Sequence, residues 1–431
     1  MRVALVVCIA LVCTGVAHAQ PTASTSATVT WTTAAPVRGR VAYGVGGLYL
    51  YSAPEAAAST THSVTLTDLS PGTTYTYRAG PVEGTLTTAP ASASPRFGTD
   101  GTRVTADGSL FFPVLSYEQC AGTVGRALAV GVNMFVQVPY TGCADPAGVT
   151  PPYVLSDAYG AQQGAGWYLP DEPDGWGITP AQMPQLPPVS QTGRLRFLNI
   201  SQHFYSGQAP INATFDRSTY KQFAALADVV GFDMYPIVKF CGRVPLTDMF
   251  HAQRELMTIY APGKPTFQWI ETSQMTGECP TIEITPAIVN AETWLAVAGG
   301  ACGIGYFTNS WTSGTWNRWD FDPGVEAALP GIVAGVKALA PALCDGTYGD
   351  DVVLPWNGTV VASTRTLNGA LYVIAVNGSA SPASVPFRVD AAAGRTLTVL
   401  GEGRTIKPTR RVYFHDSFAP YGVHVYVAAP S

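Results

Sequence analysis

Eight short apolar runs separated by more polar stretches lie between residues 111 and 309, and this repeat restricts the fold more than any other feature. Apolar strands alternating with amphipathic helices are typical of a parallel sheet. Eight such units within about 240 residues predict a (β/α)8 TIM barrel. The predicted strands are Phe111–Tyr117, Val132–Tyr140, Tyr153–Asp157, Gly166–Pro170, Arg194–Ser201, Val229–Tyr235, Thr266–Glu271 and Gly303–Asn309.

Helical patterns follow several of these strands. The predicted helices are Thr123–Val130, Ser218–Ala227, Leu246–Tyr260, Pro286–Ala298 and Gly324–Leu343. The segment between Thr141 and Gly166 is too short for two full helices, so we expect a turn or loop to replace one of them.

All-β patterns flank the barrel, which predicts a multidomain α/β protein. Residues 20–90 are predicted to form an N-terminal β-sandwich, residues 91–347 the barrel, and residues 348–431 a C-terminal β-sandwich. The segment from Leu69 to Tyr75 resembles the tyrosine corner of fibronectin type III modules, and Trp31 resembles their buried strand tryptophan. A similar module precedes the catalytic part of purple acid phosphatases. The Asp-x-His and Gly-Asn-His motifs of those enzymes are absent from the sequence, so we expect a spacer or packing module.

The first nineteen residues have the pattern of a secretory signal. Arg2 precedes an apolar run from Val3 to Val16, and Ala17-His18-Ala19 fits a small-residue cleavage site. The mature chain is therefore expected to be secreted, to an extracellular or periplasmic compartment, with no membrane span. Charged residues make up 12% of the chain and the net charge is −5, so no basic surface indicates a nucleic-acid partner.

Six cysteines remain after the predicted signal, an even number for an oxidising compartment. No Cys/His spacing suggests zinc, so neither a metal site nor a cofactor is expected. The positions of the cysteines on the barrel give a hypothesis of three disulfides: Cys120–Cys143, Cys241–Cys279 and Cys302–Cys344.

Two glutamates end predicted barrel strands. Glu172 follows the fourth strand and Glu271 ends the seventh, so both are expected at the carboxyl end of the barrel, where active sites of this fold lie. Retaining glycoside hydrolysis requires two carboxyl groups about 5–5.5 Å apart, one as proton donor and one as nucleophile. The structural alternative is that Asp171 and Glu172 merely form a helix-capping turn between Pro170 and Pro173.

This placement resembles clan A of the glycoside hydrolases. By that resemblance Glu172 would be the acid/base and Glu271 the nucleophile of a retaining β-glycosidase acting on an oligo- or polysaccharide. Tyr235 would contact the nucleophile, and Trp311 would form the floor of a sugar subsite.

Asp171 stands where clan A usually has Asn, and this departure keeps two alternatives open. An Asp-Glu pair also resembles hexosaminidases that use substrate assistance, in which Asp171 would hold the acetamido group of the sugar. A non-catalytic carbohydrate-binding protein on the same barrel is the third hypothesis. Further candidates for binding sugar hydroxyl groups, each at a predicted strand end, are Gln137, Asn199, Asp233 and His203.

Overall fold

The structure is a computed structural model. It describes residues 17–21, 25–69, 72–90, 95–137, 151–159, 164–207, 215–275, 279, 282–312, 314–349, 352–354 and 358–430. The chain divides into two compact units, Met1–Ala91 and Ser92–Ser431. No helix among the described residues is long and apolar enough to cross a membrane.

The N-terminal unit is an antiparallel β domain. Its strands are β1 (His18–Pro21), β2 (Ala27–Gly44), β3 (Tyr51–Leu66), β4 (Thr74–Ala79) and β5 (Val82–Thr87). Strands β1, β3 and β4 all pair with β2, and β5 pairs with β4. Buried and exposed residues alternate along β3 and β4 because one face of each strand packs on the core. Trp31 and Tyr75 are buried in that core, as their resemblance to fibronectin residues predicted.

The second unit begins with a small antiparallel sheet that the sequence analysis did not predict. Its strands are β6 (Phe97–Asp100), β7 (Arg103–Ala106) and β8 (Ser109–Phe111). Phe97 and Phe111 pack edge-to-face with each other and with Tyr153, which lies just before the third barrel strand. The sheet therefore covers the amino-terminal end of the barrel, opposite the mouth.

The predicted barrel is confirmed. Eight parallel strands close on themselves in sequence order. They are β9 (Val114–Tyr117), β10 (Met134–Val136), β11 (Val154–Ser156), β12 (Gly166–Tyr168), β13 (Leu195–Ser201), β14 (Val229–Asp233), β15 (Thr266–Glu271) and β16 (Ile304–Phe307). The interior is a packed apolar core that includes Leu115, Met134, Phe197, Phe267 and Trp269. Two further strands, β17 (Ser310–Thr312) and β18 (Thr315–Asn317), form a hairpin after the eighth barrel strand.

The helices surround this barrel. They are α1 (Ala121–Ala129), α2 (Val189–Thr192), α3 (Tyr220–Ala225), α4 (Thr247–Glu255, continued by a π-helical turn at Leu256–Tyr260), α5 (Pro286–Gly299), α6 (Pro323–Ala338) and α7 (Ala340–Cys344). Helix α5 starts where the Thr285 hydroxyl accepts from the Ile288 N–H and ends at Gly300 in the left-handed conformation. The described residues between β10 and β12 contain no helix, which agrees with the expected loop.

The C-terminal residues form two packed sheets. One contains β19 (Thr347–Gly349), β21 (Val360–Leu367), β22 (Ala370–Asn377), β24 (Leu397–Val399), β25 (Arg404–Ile406) and β27 (Val423–Ala428). The other contains β20 (Val352–Val353), β23 (Ala383–Val389) and β26 (Tyr413–Phe418). Buried Arg365 on β21 donates to the carbonyl groups of Val297 (2.9 Å) and Ala298 (3.3 Å) on α5. The sandwich thus packs against the side of the barrel, away from its mouth.

The cysteines agree with the disulfide hypothesis only in part. Cys241 and Cys279 are bonded, with their Cα atoms 5.1 Å apart. Cys120 is disulfide-bonded, and its predicted partner Cys143 lies outside the described residues. The predicted bridge between Cys302 and Cys344 is wrong: both are free, buried thiols. They lie in hydrogen-bond contact with each other, and the Cys302 Sγ also points at the Leu343 carbonyl oxygen, 3.7 Å away.

Candidate active site

The carboxyl end of β12 carries the centre of the candidate site. After Tyr168 the chain turns through Leu169 and Pro170, and the Glu172 N–H donates to the Asn199 carbonyl on β13 (3.2 Å). This bond anchors the turn to the barrel wall. Glu172 has a φ of 42°, a left-handed conformation that costs a non-glycine residue about 1–3 kcal/mol. Strain of this kind on a carboxylate at a barrel mouth is typical of a functional residue.

Asp171 is held in one orientation by three donors. Its Oδ1 accepts from the Tyr168 hydroxyl (3.1 Å) and the Asn199 amide (3.0 Å), and the Tyr117 hydroxyl is a third hydrogen-bond partner. The Trp269 indole donates in turn to the Tyr168 oxygen (3.3 Å), which fixes that phenol. Burial raises the pKa of Asp171, and the three hydrogen bonds oppose the rise. These contacts make Asp171 a rigid acceptor beside Glu172.

The partner of Glu172 is Asp233, the last residue of β14. The two side chains are hydrogen-bonded to each other, and Asp233 is buried. Burial raises the pKa of Glu172, and the charge of Asp171 raises it further. Burial and the charges of Glu172 and Asp171 raise the pKa of Asp233 well above its ordinary range. Two carboxyl groups in contact cannot readily ionise together, so the pair holds one proton between them.

A further carboxylate, Asp174, secures the turn from behind. It is fully buried and accepts from the Ser201 N–H (2.9 Å), the Ser201 hydroxyl and the Tyr220 hydroxyl (2.8 Å). The Ser201 oxygen also contacts His203 Nδ1 (2.9 Å). His203, a predicted sugar-binding residue, therefore belongs to the network that supports the turn.

Glu271 lies at the end of β15, as expected, but its carboxylate is not exposed in the mouth. The side chain has no solvent-accessible surface. Its Oε1 and Oε2 accept from the backbone N–H groups of Ile237 and Val238, both at 2.8 Å. Glu271 therefore lies at the carboxyl end of the barrel as expected but is closed off from solvent, because the loop after β14 folds over the end of β15 and binds both oxygens.

The other neighbour of Glu271 is Glu292, in the middle of α5. Glu292 is also fully buried and hydrogen-bonded to Glu271. Burial and the charge of Glu271 raise the pKa of Glu292 well above its ordinary range, so Glu292 is the protonated member. Burial also raises the pKa of Glu271, and its hydrogen bonds to Glu292, Val238 and Ile237 oppose that rise. The smaller rise makes Glu271 the anionic member of the pair, with three donors around it.

Aromatic rings line the mouth from β9 to the hairpin after β16. Phe307 packs on Tyr117 (ring centroids 5.9 Å apart) and on Tyr235 (5.8 Å). Trp316 lies 6.1 Å from both Phe307 and Trp311. The row connects the centre of the mouth with exposed Trp311. It gives the site apolar surface on which the faces of sugar rings can stack.

The structure brings together Glu172, Asp171, Asn199, Asp233 and Tyr235 among the predicted site residues. Burial is the main cause of the rise in the pKa of Tyr235, and the charges of Asp233, Glu172, Asp171 and Glu271 add to it, so Tyr235 lies between the Glu172 cluster and Glu271. Gln137 is half-buried at the end of β10, where its N–H donates to the Leu155 carbonyl (2.9 Å).

One carboxylate at the mouth, Glu118, was not predicted from the sequence. Glu118 directly follows β9, has a φ of 46°, and accepts from the Trp316 indole (3.0 Å). Burial raises its pKa. A carboxylate directly after a predicted strand is the same signal that identified Glu172, so Glu118 was open to prediction.

Within the described residues, no group of three or more His, Cys, Asp or Glu side chains is arranged to hold a metal ion.

Sequence comparison identifies the N-terminal module. Residues 16–99 match the family model of the purple acid phosphatase N-terminal domain. The match agrees with the fibronectin-like resemblance and covers less than a quarter of the chain, so it describes this module alone. No curated protein sequence matches the chain.

Structural comparison finds amylases and an endoxylanase at low similarity. The Geobacillus thermoleovorans α-amylase with acarbose has a TM-score of 0.43 and 10% identity, over 74% of this chain and 98% of the amylase. The Thermotoga neapolitana maltogenic α-amylase has a TM-score of 0.41 and 8% identity, over 73% and 98%. The Clostridium papyrosolvens GH30 endoxylanase has a TM-score of 0.34 and 10% identity, over 74% and 96%.

Proposed function

We propose that this protein hydrolyses O-glycosidic bonds, with Glu172 as the proton donor. The observation that carries the proposal is the Glu172–Asp233 pair, two carboxyl groups in hydrogen-bond contact at the mouth of a parallel barrel. A glycosidase needs one carboxylic acid that remains protonated near neutral pH and a second group that stays anionic. Because the Glu172–Asp233 pair holds one proton, it provides both the protonated acid and the anionic group.

The chemistry follows from this arrangement. Asp233, the member with the larger rise in pKa, holds the shared proton before substrate binds. As the bond between the anomeric carbon and the glycosidic oxygen breaks, this proton crosses the hydrogen bond to Glu172, which passes it to that oxygen, and the aglycone leaves as an alcohol. Positive charge develops on the sugar ring, where the carboxylates of Asp233 and Asp171 stabilise it. Glu172 then takes a proton from the incoming water, which restores the acid.

Two routes differ in what attacks the anomeric carbon. In the first, the oxygen of a 2-acetamido group on the sugar attacks, and the ring intermediate is opened by water. Two observations favour this route. The contact between Glu172 and Asp233 is closer than the about 5–5.5 Å required for direct attack, so Asp233 is not placed as a nucleophile, and Glu271 is buried with both carboxylate oxygens bound by backbone N–H groups. Asp233 and Asp171 would orient the acetamido group.

In the second route Glu271 attacks and forms a glycosyl ester, which water then hydrolyses. The position of Glu271 at the end of the seventh barrel strand favours this route. Glu271 would first have to release the Ile237 and Val238 N–H groups. Double displacement therefore requires the loop after β14 to move.

Hydrolysis of aryl glycosides tests both routes. The wild-type chain is expected to cleave at least one of a panel of aryl β-glycosides that includes the 2-acetamido sugar, and Glu172→Gln should lower kcat by about 10²–10⁴-fold. A leaving group that needs no protonation should restore much of that loss. Substrate assistance predicts cleavage of the 2-acetamido glycoside and inhibition by a thiazoline analogue. Double displacement predicts that azide rescues Glu271→Ala.

The same panel gives the results that oppose the proposal. In Glu172→Gln, unchanged turnover of glycosides whose leaving group needs protonation would remove Glu172 as the acid. Sugar binding without cleavage of any glycoside would leave a carbohydrate-binding protein, the remaining hypothesis.

A further inference from the structure

Two tryptophans stand out from the others in the described part of the chain by their exposure. Trp176 is 76% exposed and Trp311 is 48% exposed, whereas Trp31, Trp167, Trp269, Trp294 and Trp319 are buried and Trp316 is half-buried. An indole has a large apolar surface, and leaving it in water forgoes much of the stabilisation that its burial would give. Both exposed indoles follow barrel strands at the mouth, the end where ligands bind in this fold.

Trp176 lies on the same turn as the proposed acid. Its N–H and that of Gly175 both donate to the Glu172 carbonyl, at 3.2 Å and 2.9 Å. The turn closes with a bond from the Ile178 N–H to the Pro173 carbonyl (2.8 Å). The backbone of Trp176 is thereby fixed relative to Glu172.

Trp311 lies on the other side of the mouth. Its N–H donates to the Met275 carbonyl (2.7 Å), which ties the hairpin after β16 to the loop after β15. Between these two segments is a cavity of about 560 Å³, lined in part by Gln274, Trp311 and Phe321. A volume of this order accommodates a small ligand such as a sugar unit or two.

The order of the barrel strands places these two tryptophans on opposite sides of the mouth. Trp176 follows the fourth strand and Trp311 the eighth, and in a closed ring of eight strands these positions are diametrically opposite. The Glu172–Asp233 pair and the aromatic row of Tyr117, Phe307 and Trp316 lie at the mouth between them. A ligand that uses both indoles must cross the mouth.

The charge of this surface restricts the ligand. The cavity beside Trp311 is lined by the carboxylates of Glu283, Asp320 and Asp322, and by no Lys or Arg among its lining residues. The centre of the mouth adds the carboxyl groups of Glu118, Asp171, Glu172 and Asp233, which outnumber the two cations beside them, Lys239 near Glu172 and Arg318 near Glu118. A polyuronide or sulfated chain would meet like charge along this path, whereas an uncharged or cationic glycan would not.

We propose that the mouth binds an extended, uncharged or cationic glycan, with sugar units stacked on Trp176 and on Trp311 at either side of the Glu172–Asp233 pair. This inference rests on the proposed function for the position of cleavage, which falls within the chain rather than at its end. Trp176 and Trp311 are then the residues that select long substrates over short ones.

The experiment uses the full chain carrying Glu172→Gln, so that ligands bind without being cleaved. Calorimetry would measure the affinity for xylo-, manno-, cello- and chito-oligosaccharides from disaccharide to hexasaccharide, with oligogalacturonates as the anionic probe. We expect affinity to rise with length in at least one uncharged series. Adding Trp176→Ala or Trp311→Ala should weaken hexasaccharide binding about tenfold, as loss of a stacked aromatic contact does. The matched control is Tyr413→Ala, an aromatic residue 44% exposed on the C-terminal sandwich, which should have no effect.

The results separate this inference from the proposed function. A hexasaccharide that binds no better than a disaccharide, or wild-type affinity in both tryptophan variants, overturns the inference even if aryl glycosides are cleaved. Tighter binding of oligogalacturonates than of every uncharged series overturns the charge argument. Length-dependent binding that both tryptophan variants weaken, in a wild-type chain that cleaves nothing, supports the chain-binding surface and refutes hydrolysis.

Discussion

Replacement of Glu271 by Ala separates a structural role for this carboxylate from a catalytic one. Glu271 accepts two backbone N–H groups, from Ile237 and Val238, both at 2.8 Å in a site with no access to water. A hydrogen bond to a charged group contributes about 1.5–3 kcal/mol. Removing the carboxylate leaves both donors buried and unpaired, so Glu271→Ala should lower the free energy of unfolding by about 3–6 kcal/mol.

A graded series makes this magnitude testable. Glu271→Gln keeps one acceptor oxygen and should cost about half as much, about 1.5–3 kcal/mol. Glu283→Ala is the control, because this exposed carboxylate lies close to Glu271 in sequence, and surface changes usually stay within about 0.5 kcal/mol. Urea unfolding followed by tryptophan fluorescence would measure all three variants. The slope of each transition must match that of the wild type for the comparison to hold.

A catalytic role for Glu271 predicts a different set of results. A nucleophile that is free to reach a substrate contributes little to folding, so Glu271→Ala would unfold within about 1 kcal/mol of the wild type. Azide would then enter the vacated space and attack the sugar, which would restore turnover and give a glycosyl azide of inverted configuration as the product. Both observations together would refute the structural role and support double displacement.

Two further predictions concern buried titratable groups. Because the folded-state pKa of Glu292 is raised, the stability that its protonation contributes is complete below the ordinary carboxyl pKa and is lost as pH rises through the raised value. Glu292→Gln should therefore unfold at a higher temperature than the wild type in alkaline buffer and lose this advantage in acid, as a thermal scan at each pH would show; parallel profiles would contradict it. Alkylation in denaturant without reductant should label Cys302 and Cys344, whereas the Cys241–Cys279 bridge stays unlabelled in peptide mapping. An unlabelled Cys302–Cys344 pair would show a third bridge.

The barrel was accessible from the sequence because its strands are buried on both faces. Such strands form continuous apolar runs, and each of the eight predicted runs contains one barrel strand. The sheet of β6, β7 and β8 was missed although its signal was present. Asp107-Gly108 forms the turn between β7 and β8, and Asp-Gly is a strong hairpin signal; Gly101 follows Asp100, the last residue of β6, and begins the turn to β7.

The orientation of Glu271 was not accessible in the same way. Strand periodicity gives the position of a residue along the strand, but the next loop decides what its side chain meets at the strand end. Here the N–H groups of Ile237 and Val238 come from the loop after the neighbouring strand. The partner Glu292 was visible in the sequence as a lone carboxylate within an apolar helix, a pattern that requires a buried partner.

Glu172 keeps its central place for reasons independent of Glu271. Two glutamates at the mouth, Glu118 and Glu172, adopt left-handed backbone conformations, and burial raises the pKa of each. Strained backbone and desolvated carboxyl groups both oppose folding, at about 1–3 kcal/mol for each strained residue. Asp171 adds a third carboxylate to the same small space, held by three donors rather than neutralised by a cation. A structural turn gains nothing from this concentration of unfavourable terms, whereas a site that must hold and release one proton beside a developing positive charge requires it.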